Sequence, residues 1–293
     1  MSRRIVIGAA LVGIILLVLV LSIVIQKENN REHAPIFING DNQFTSANGV
    51  TSGSGTANDP YIIENWAINA SGTHGITIQS TTAYFIIRNC LVKNGGDSYN
   101  GIYLNHVING RIENNRCNNN SYGIRLYVSS NNTVTNNICE NNTNSGIYLW
   151  ISSNYNTLTG NICENNSQHG ISLRSSSYDT LIGNTCENNI WYGIYLGAST
   201  YDNLINNNFS KNNYGIYLIS SSNNTFTYNY LLNNAENNAQ DGGLNNWDNG
   251  SHGNYWSDWQ PPQHSDADNN GIVDDSRPIF GGTNQDNYPL VIF

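Results

Sequence analysis

The sequence predicts an all-β chain: a right-handed parallel β-helix, a solenoid of about 22–24-residue coils, with one N-terminal transmembrane helix. Three observations predict it: a Gly-Ile-x-Leu repeat, columns of asparagine in register with that repeat, and one long apolar run near the first residue. The composition agrees. Only 11% of the 293 residues are charged. Beyond residue 30 the strong helix formers give way to Asn, Ser, Thr, Gly and Tyr, which favour turns and strands.

The apolar run, Ile5 to Ile25, holds 21 uncharged residues behind Arg3 and Arg4. As a helix it is about 31 Å long, enough to cross a bilayer. The two arginines keep the N-terminus cytoplasmic, which puts the remainder outside the cell or in the periplasm. A cleaved signal peptide would have a shorter apolar stretch ending in small residues, and Ile23-Val-Ile-Gln-Lys27 offers none. The expected organisation is a cytoplasmic tip at 1–4, a signal anchor at 5–26, a polar linker at 27–33 and an N-terminal capping coil at 34–74. The repeats follow at 75–240, then a C-terminal cap at 241–293.

Aligned on Gly-Ile-x-Leu, seven units begin at Gly75, Gly101, Gly123, Gly146, Gly170, Gly193 and Gly215, spaced by 22 to 26 residues. The Ile and Leu alternate, so both face one side of a strand. A second apolar column runs Ile86, Ile112, Val134, Leu158, Leu181, Leu204, Phe226. Two columns are all asparagine, one from Asn89 and Asn115 to Asn229, the other from Asn94 and Asn120 to Asn234. On coils about 4.8 Å apart, Asn amides can bond along the stack, and Asn tolerates the left-handed backbone of a tight bend. No unit buries its apolar face alone. Leucine-rich repeats share the period, but segments such as Ser129-Ser-Asn-Asn-Thr-Val-Thr-Asn-Asn do not fit their L-x-x-L-x-L runs.

Cys117, Cys139, Cys163 and Cys186 occupy one repeat position, filled elsewhere by Leu91, Phe209 and Leu231. This reads as a buried column of small apolar thiols. Cys90 falls one residue out of the column and is expected to be the exposed one.

Gly-Ile-x-Leu followed by Ser-x-x-Asn-x-Thr, Asn-x-Cys and Asn-Asn resembles the parallel β-helix repeat family, in particular its NosD-like members. Asn48-Gly-Val-Thr-Ser-Gly-Ser-Gly-Thr and Asp59-Pro-Tyr-Ile-Ile-Glu are similar to the first coil of archaeal-type surface members. Gly253-Asn-Tyr-Trp-Ser-Asp and Asn287-Tyr-Pro-Leu are similar to their C-terminal cap. The resemblance implies the fold across residues 34–293. It leaves function open, because such folds serve lyases, hydrolases, metal-handling proteins and adhesins. Copper is what the NosD resemblance implies. The residues resist it: no Met follows the initiator, the columnar thiols read as buried, and His33, His74, His106, His169, His252 and His264 show no ligand spacing.

Site residues come from the outward positions of the Gly-Ile-x-Leu strands. Tyr103, Arg125, Tyr127, Tyr148, Trp150, Ser172, Arg174, Tyr195 and Tyr217 form a strip, bordered by Tyr122, Trp191, Tyr192 and Tyr214. Ring faces suit sugars and guanidinium forks suit carboxylate or sulfate, whereas stacking that only stabilises the sheet is the competing reading. The expected ligand is a polysaccharide or another cell-envelope component. Nucleic acid is excluded by the net charge of -9. Catalysis by a polysaccharide lyase or hydrolase is the second reading, supported by Arg125 and Arg174 and weakened by a strip without carboxylates. Glu140, Glu164 and Glu187 stack on another face, where they either raise one another's pKa, recruit a cation or splay into solvent. Asp266, Asp268, Asn270, Ile272 and Asp274 match the first part of a calcium loop, with Arg277 in place of the closing carboxylate. Calcium is expected there, tying down the cap.

Overall fold

A computed structural model describes residues 30–292. The transmembrane helix expected at 5–26 lies outside them. Among the described residues no helix is long and apolar enough to cross a membrane.

The chain winds into a right-handed parallel β-solenoid of about nine coils, with three sheets running its length. One coil shows the pattern. Ile147–Trp150 belongs to the first sheet, Thr157–Thr159 to the second and Ile162–Glu164 to the third. Seven coils are marked by Gly-Ile-x-Leu. The structure adds one before them, with Ile36–Asn39 in the first sheet, and one after them, with Asn237–Asp241. Their strands lack the signature: Ile36 follows Pro35, and Asn238 and Ala239 stand where Gly and Ile would be. The cap pairs Arg277–Pro278 with Gln285–Asp286 and is pinned by Asp286, whose carboxylate accepts from the Trp256 indole and the Asn254 amide.

Inward columns from the three sheets form one core. Ile147 and Leu149, Leu158 and Cys163 are all fully buried, as are their counterparts on neighbouring coils. The repeat glycine is required by close approach. A Cβ on Gly123 would lie 2.6 Å from the Gly146 carbonyl oxygen and 2.9 Å from Cys139 Cβ. The glycine and cysteine columns are therefore partners, each small because the other is near.

Where the strands turn, the backbone N–H groups point inward and meet three side-chain ladders. In one, Asn137 Oδ1 accepts the backbone N–H of Asn115, while Asn137 Nδ2 donates to Ile112 O and Asn161 Oδ1. The second repeats this through Asn120, Asn142, Asn166, Asn189, Asn212 and Asn234. The left-handed residue is the one just before each ladder position, such as Asn136 (φ 54°) or Asn165 (φ 55°), and not the ladder asparagine itself.

The first unit is displaced by one residue from the sequence alignment. Ile87, not Ile86, pairs with Ile112, and Val92, not Leu91, pairs with Cys117. Cys90, not Asn89, heads the first ladder, with its N–H donated to Asn115 Oδ1. Gly95, not Asn94, donates to Asn120 Oδ1. The turn after the Gly75 strand holds one more residue than most, and Phe85-Ile86-Ile87 offers apolar side chains in either register. Cys90 is accordingly only 1% exposed, which corrects the expectation that it lies at the surface.

The third ladder, Asn132, Asn156, Asp179, Asp202, Asn224 and Asn245, departs from amide chemistry at two positions. Asp179 Oδ1 accepts the Asn156 N–H at 2.7 Å and Asp202 Oδ1 the Asp179 N–H at 2.8 Å. Their Oδ2 atoms are buried without a partner. Burial, reinforced by the neighbouring Asp202, pushes the Asp179 carboxyl well above its usual range, and burial pushes Asp202 up to about 8. Protonated, each Oδ2–H becomes a donor, as the asparagine amide is elsewhere in the ladder.

Two outcomes are expected. A carboxyl raised in the folded state and ordinary in the unfolded one makes folding take up protons. The favourable contribution is complete below about pH 4 and is lost as pH rises toward 8. Asp179→Asn with Asp202→Asn should thus raise the unfolding midpoint by on the order of 5 °C near pH 8, with the gain vanishing near pH 4; calorimetry at both pH values checks it, and an equal gain at both removes the ionisation account. Second, Cys90, Cys117, Cys139, Cys163 and Cys186 are free and buried, so a thiol reagent should find none in the folded protein and all of them after unfolding. A fast-reacting native thiol would show that the column is open.

Candidate functional site

Parallel in-register pairing turns the outward positions of the first sheet into columns. One runs Tyr103, Arg125, Tyr148, Ser172, Tyr195, Tyr217, and the next runs Tyr127, Trp150, Arg174. The structure therefore brings all eight ring and guanidinium residues expected at the site onto one face. Most are half-buried against one another; Tyr148 is 8% exposed and Arg174 is exposed. Tyr192 lies on Tyr217 at 4.3 Å, Tyr127 on Trp150 at 5.2 Å, and Tyr122 on Tyr148 at 4.9 Å.

The Arg125 guanidinium sits over four rings, those of Tyr103, Tyr122, Tyr148 and Trp150, at 5.0–5.8 Å. Arg174 sits over Tyr195 at 5.4 Å. Among the described residues neither has a carboxylate partner, in contrast to Arg88, Arg111, Arg116, Lys211 and Arg277. Arg125 Nε is buried without any acceptor. Burial raises the Tyr148 hydroxyl to about 12, so it remains a hydrogen-bond donor.

Sequence reasoning considers His169 only as a candidate copper ligand. It is 6% exposed, stacks on Tyr192 at 4.9 Å and Tyr195 at 5.1 Å, and leaves Nδ1 buried and unpartnered. Burial and the nearby Arg174 charge lower its pKa to about 3, so the ring is neutral at ordinary pH. Together with Tyr122, Ser145, Tyr148, Gln168, Ser172 and Arg174 it lines a hollow of about 50 Å³. The only available signal was the placement of His169 immediately before the repeat glycine. The Ser145 side of the hollow depends on register between coils.

The other candidates lie elsewhere. Glu140, Glu164 and Glu187 pair in register in the third sheet. Arg116 engages Glu140 and Lys211 engages Glu187 at 2.7 Å, while burial and its two neighbours raise the middle carboxyl, Glu164. The Asp-rich loop lies in the C-terminal cap. Asp266 accepts the N–H groups of Asn270 and Gly271, Asp268 accepts from Asn270, and Asp274 accepts from Ser265 Oγ and Ala267 N. Ile272 N bonds to Asn270 Oδ1. These bonds depress the Asp274 carboxyl, the Ala267 N–H contributing most.

Among solved structures, tailspike protein 2 from an Escherichia coli O157:H7 bacteriophage is similar at 12% identity, TM-score 0.54, over 87% of this chain and 42% of that one. A mutant of the periplasmic alginate epimerase AlgG is similar at 19% identity, TM-score 0.52, over 63% of this chain and 49% of that one. A mannuronan C-5 epimerase A-module from Azotobacter vinelandii gives 16% identity and TM-score 0.49 over 67% and 58%. This chain thus spans about half the length of the proteins it matches. At these identities the likeness shows the fold alone. No curated protein matches the chain.

The sequence model of a family described as periplasmic copper-binding protein (NosD) matches residues 73–261. The donors present do not fit copper. A copper thiolate site needs accessible, ionisable cysteine, yet the column is sealed and burial holds Cys139 and Cys163 well above their usual range. Among the described residues no three His, Cys, Asp or Glu side chains form a group able to hold a metal ion. Fold, repeat and match agree on descent if not on ligand: the chain belongs to the NosD family.

Proposed function

We propose that this protein is a non-enzymatic cell-surface β-helix that binds glycan or neighbouring envelope components along the strip from Tyr103 to Tyr217. The observation that carries the reading is an outward tier of rings, interrupted at Ser172, with two guanidiniums and no carboxylate among them. Rings at strand spacing suit a long ligand, because sugar units can lie along successive coils and stack as they go. The fold neighbour named as an alginate epimerase handles a polysaccharide, which supports a ligand of that class. The apolar run at 5–25 would hold the protein at a membrane, with its solenoid outside the cell or in the periplasm. Calcium would have a structural role in this reading, held by Asp266, Asp268, Asn270, Asp274 and the Ile272 carbonyl.

In affinity electrophoresis with neutral and acidic polysaccharides, the full-length protein should be retarded by at least one polymer, and Trp150→Ala should weaken retention about 10-fold. Polymer length should stay constant throughout. Shortening that disappears in Arg125→Ala would replace binding with a lyase or hydrolase activity. For the cap, millimolar calcium should raise the unfolding midpoint by a few degrees, and Asp268→Asn should abolish the shift. An unchanged midpoint would leave the loop as a turn closed by its own N–H groups.

A further inference from the structure

The hollow beside His169 exists because two rings are missing from the strip. Along one column the outward residues are Tyr148, Ser172 and Tyr195 on successive coils. In the bordering column, immediately before the glycines, they are Tyr122, Ser145, His169 and Tyr192. Each serine takes the place of a ring, and the two gaps adjoin. The stacked Tyr122–Tyr148 pair closes one side, and His169 on its Tyr192 and Tyr195 stack closes the other. About 50 Å³ remains. At ~10–15 Å³ for each water, that is room for a few waters or one carboxylate- or sulfate-sized group, and too little for a sugar ring.

The lining is polar, and its charge is uncompensated. Arg174 stands at the hollow without a carboxylate partner, and Arg125 lies behind the tyrosine wall over Tyr122 and Tyr148 with Nε unpartnered. His169 contributes a buried Nδ1 without a partner, and Gln168 an amide at the edge. A chain of net charge -9 that leaves two guanidiniums unpaired on one face concentrates positive potential there. Buried polar atoms without partners are costly unless something fills them.

Building on the strip as a glycan-binding face, we propose that this hollow is an anion subsite that receives the carboxylate or sulfate of one sugar unit, so that the ligand is an acidic polysaccharide. The sugar rings lie outside on the strip while the anionic substituent enters between Tyr148 and His169. Because His169 stays neutral there, affinity is flat between about pH 5 and 8. It falls as salt screens the guanidiniums.

The test compares polygalacturonate, dextran sulfate and unmodified dextran of matched length on the full-length protein, reading the ratio of acidic to neutral affinity at low and high salt. That ratio should exceed about 10 at low salt. Ser172→Tyr, which restores the ring present at Tyr148 and Tyr195 in the same column, should bring it toward one by filling the hollow. Arg174→Gln should reduce acidic binding by a similar factor, which keeps the result interpretable if the tyrosine variant misfolds. The better of the two acidic polymers identifies the substituent as carboxylate or sulfate. Acidic and neutral polymers binding alike, or acidic binding that survives both substitutions, would overturn the subsite and leave the strip reading standing. Binding to none of the three would overturn both.

Discussion

A strand of three or four residues cannot satisfy its backbone at the corner where it ends. In this solenoid every coil turns three times around a dry core, and at each turn an N–H points inward, where no water can reach it. Leaving such a group bare costs about 1–3 kcal/mol, and the cost recurs on every coil. Inward Asn side chains remove it by giving Oδ1 to an N–H of the preceding coil and Nδ2 to a carbonyl there. Each amide does this only if the coils lie in register at strand spacing. The ladders thus impose that spacing on every other column: isoleucines over isoleucines, thiols over thiols and, on the outside, rings over rings. The aromatic strip follows from the buried amides as directly as the core does.

Aspartate in place of asparagine shows how strict the requirement is. Asp179 and Asp202 keep the acceptor half of the interaction, and their Oδ1 distances match those of the amides. The donor half survives only while Oδ2 carries a proton. Asp202 adds to the difficulty of ionising Asp179, since ionising both places two charges one coil apart in a buried medium. The Glu140, Glu164 and Glu187 column has the same vertical spacing with the opposite solution: it faces outward, and Arg116 and Lys211 cap its two ends.

The repeat made most of the architecture legible. Gly-Ile-x-Leu, the second apolar column and the asparagines all carry their identity from coil to coil, so a count along the chain finds them. Reading failed where identity did not repeat. The third ladder changes from amide to acid at Asp179 and Asp202 and back again at Asn224, so no single residue type marks it as a column. The terminal coils have Pro35 and Ala239 where the signature would be. In the first unit, adjacent isoleucines at 86 and 87 concealed a one-residue shift, and with it the burial of Cys90. Membership of the strip was legible because it follows from alternation along one strand. The hollow was not. It arises from what stands above and below Ser145, and a vertical neighbour is defined by turn lengths that vary from unit to unit.

The NosD family name points to copper, while the placement of donors points away from it. The columnar cysteines and the ladder asparagines all lie inside, the thiols as filling beside the glycines and the amides as ladder. A ligand arriving from solvent meets neither column. What it meets on the first sheet is aromatic and cationic, in a chain whose net charge is negative. Among the described residues Arg125 and Arg174 have no carboxylate nearby, whereas five other cations do. Arg125 and Arg174 are kept from that outcome by the columns they occupy, where the vertical neighbours are Tyr103, Tyr148, Trp150 and Gly197. The same register that stacks the rings therefore isolates the charges of Arg125 and Arg174 from the carboxylates of the neighbouring coils.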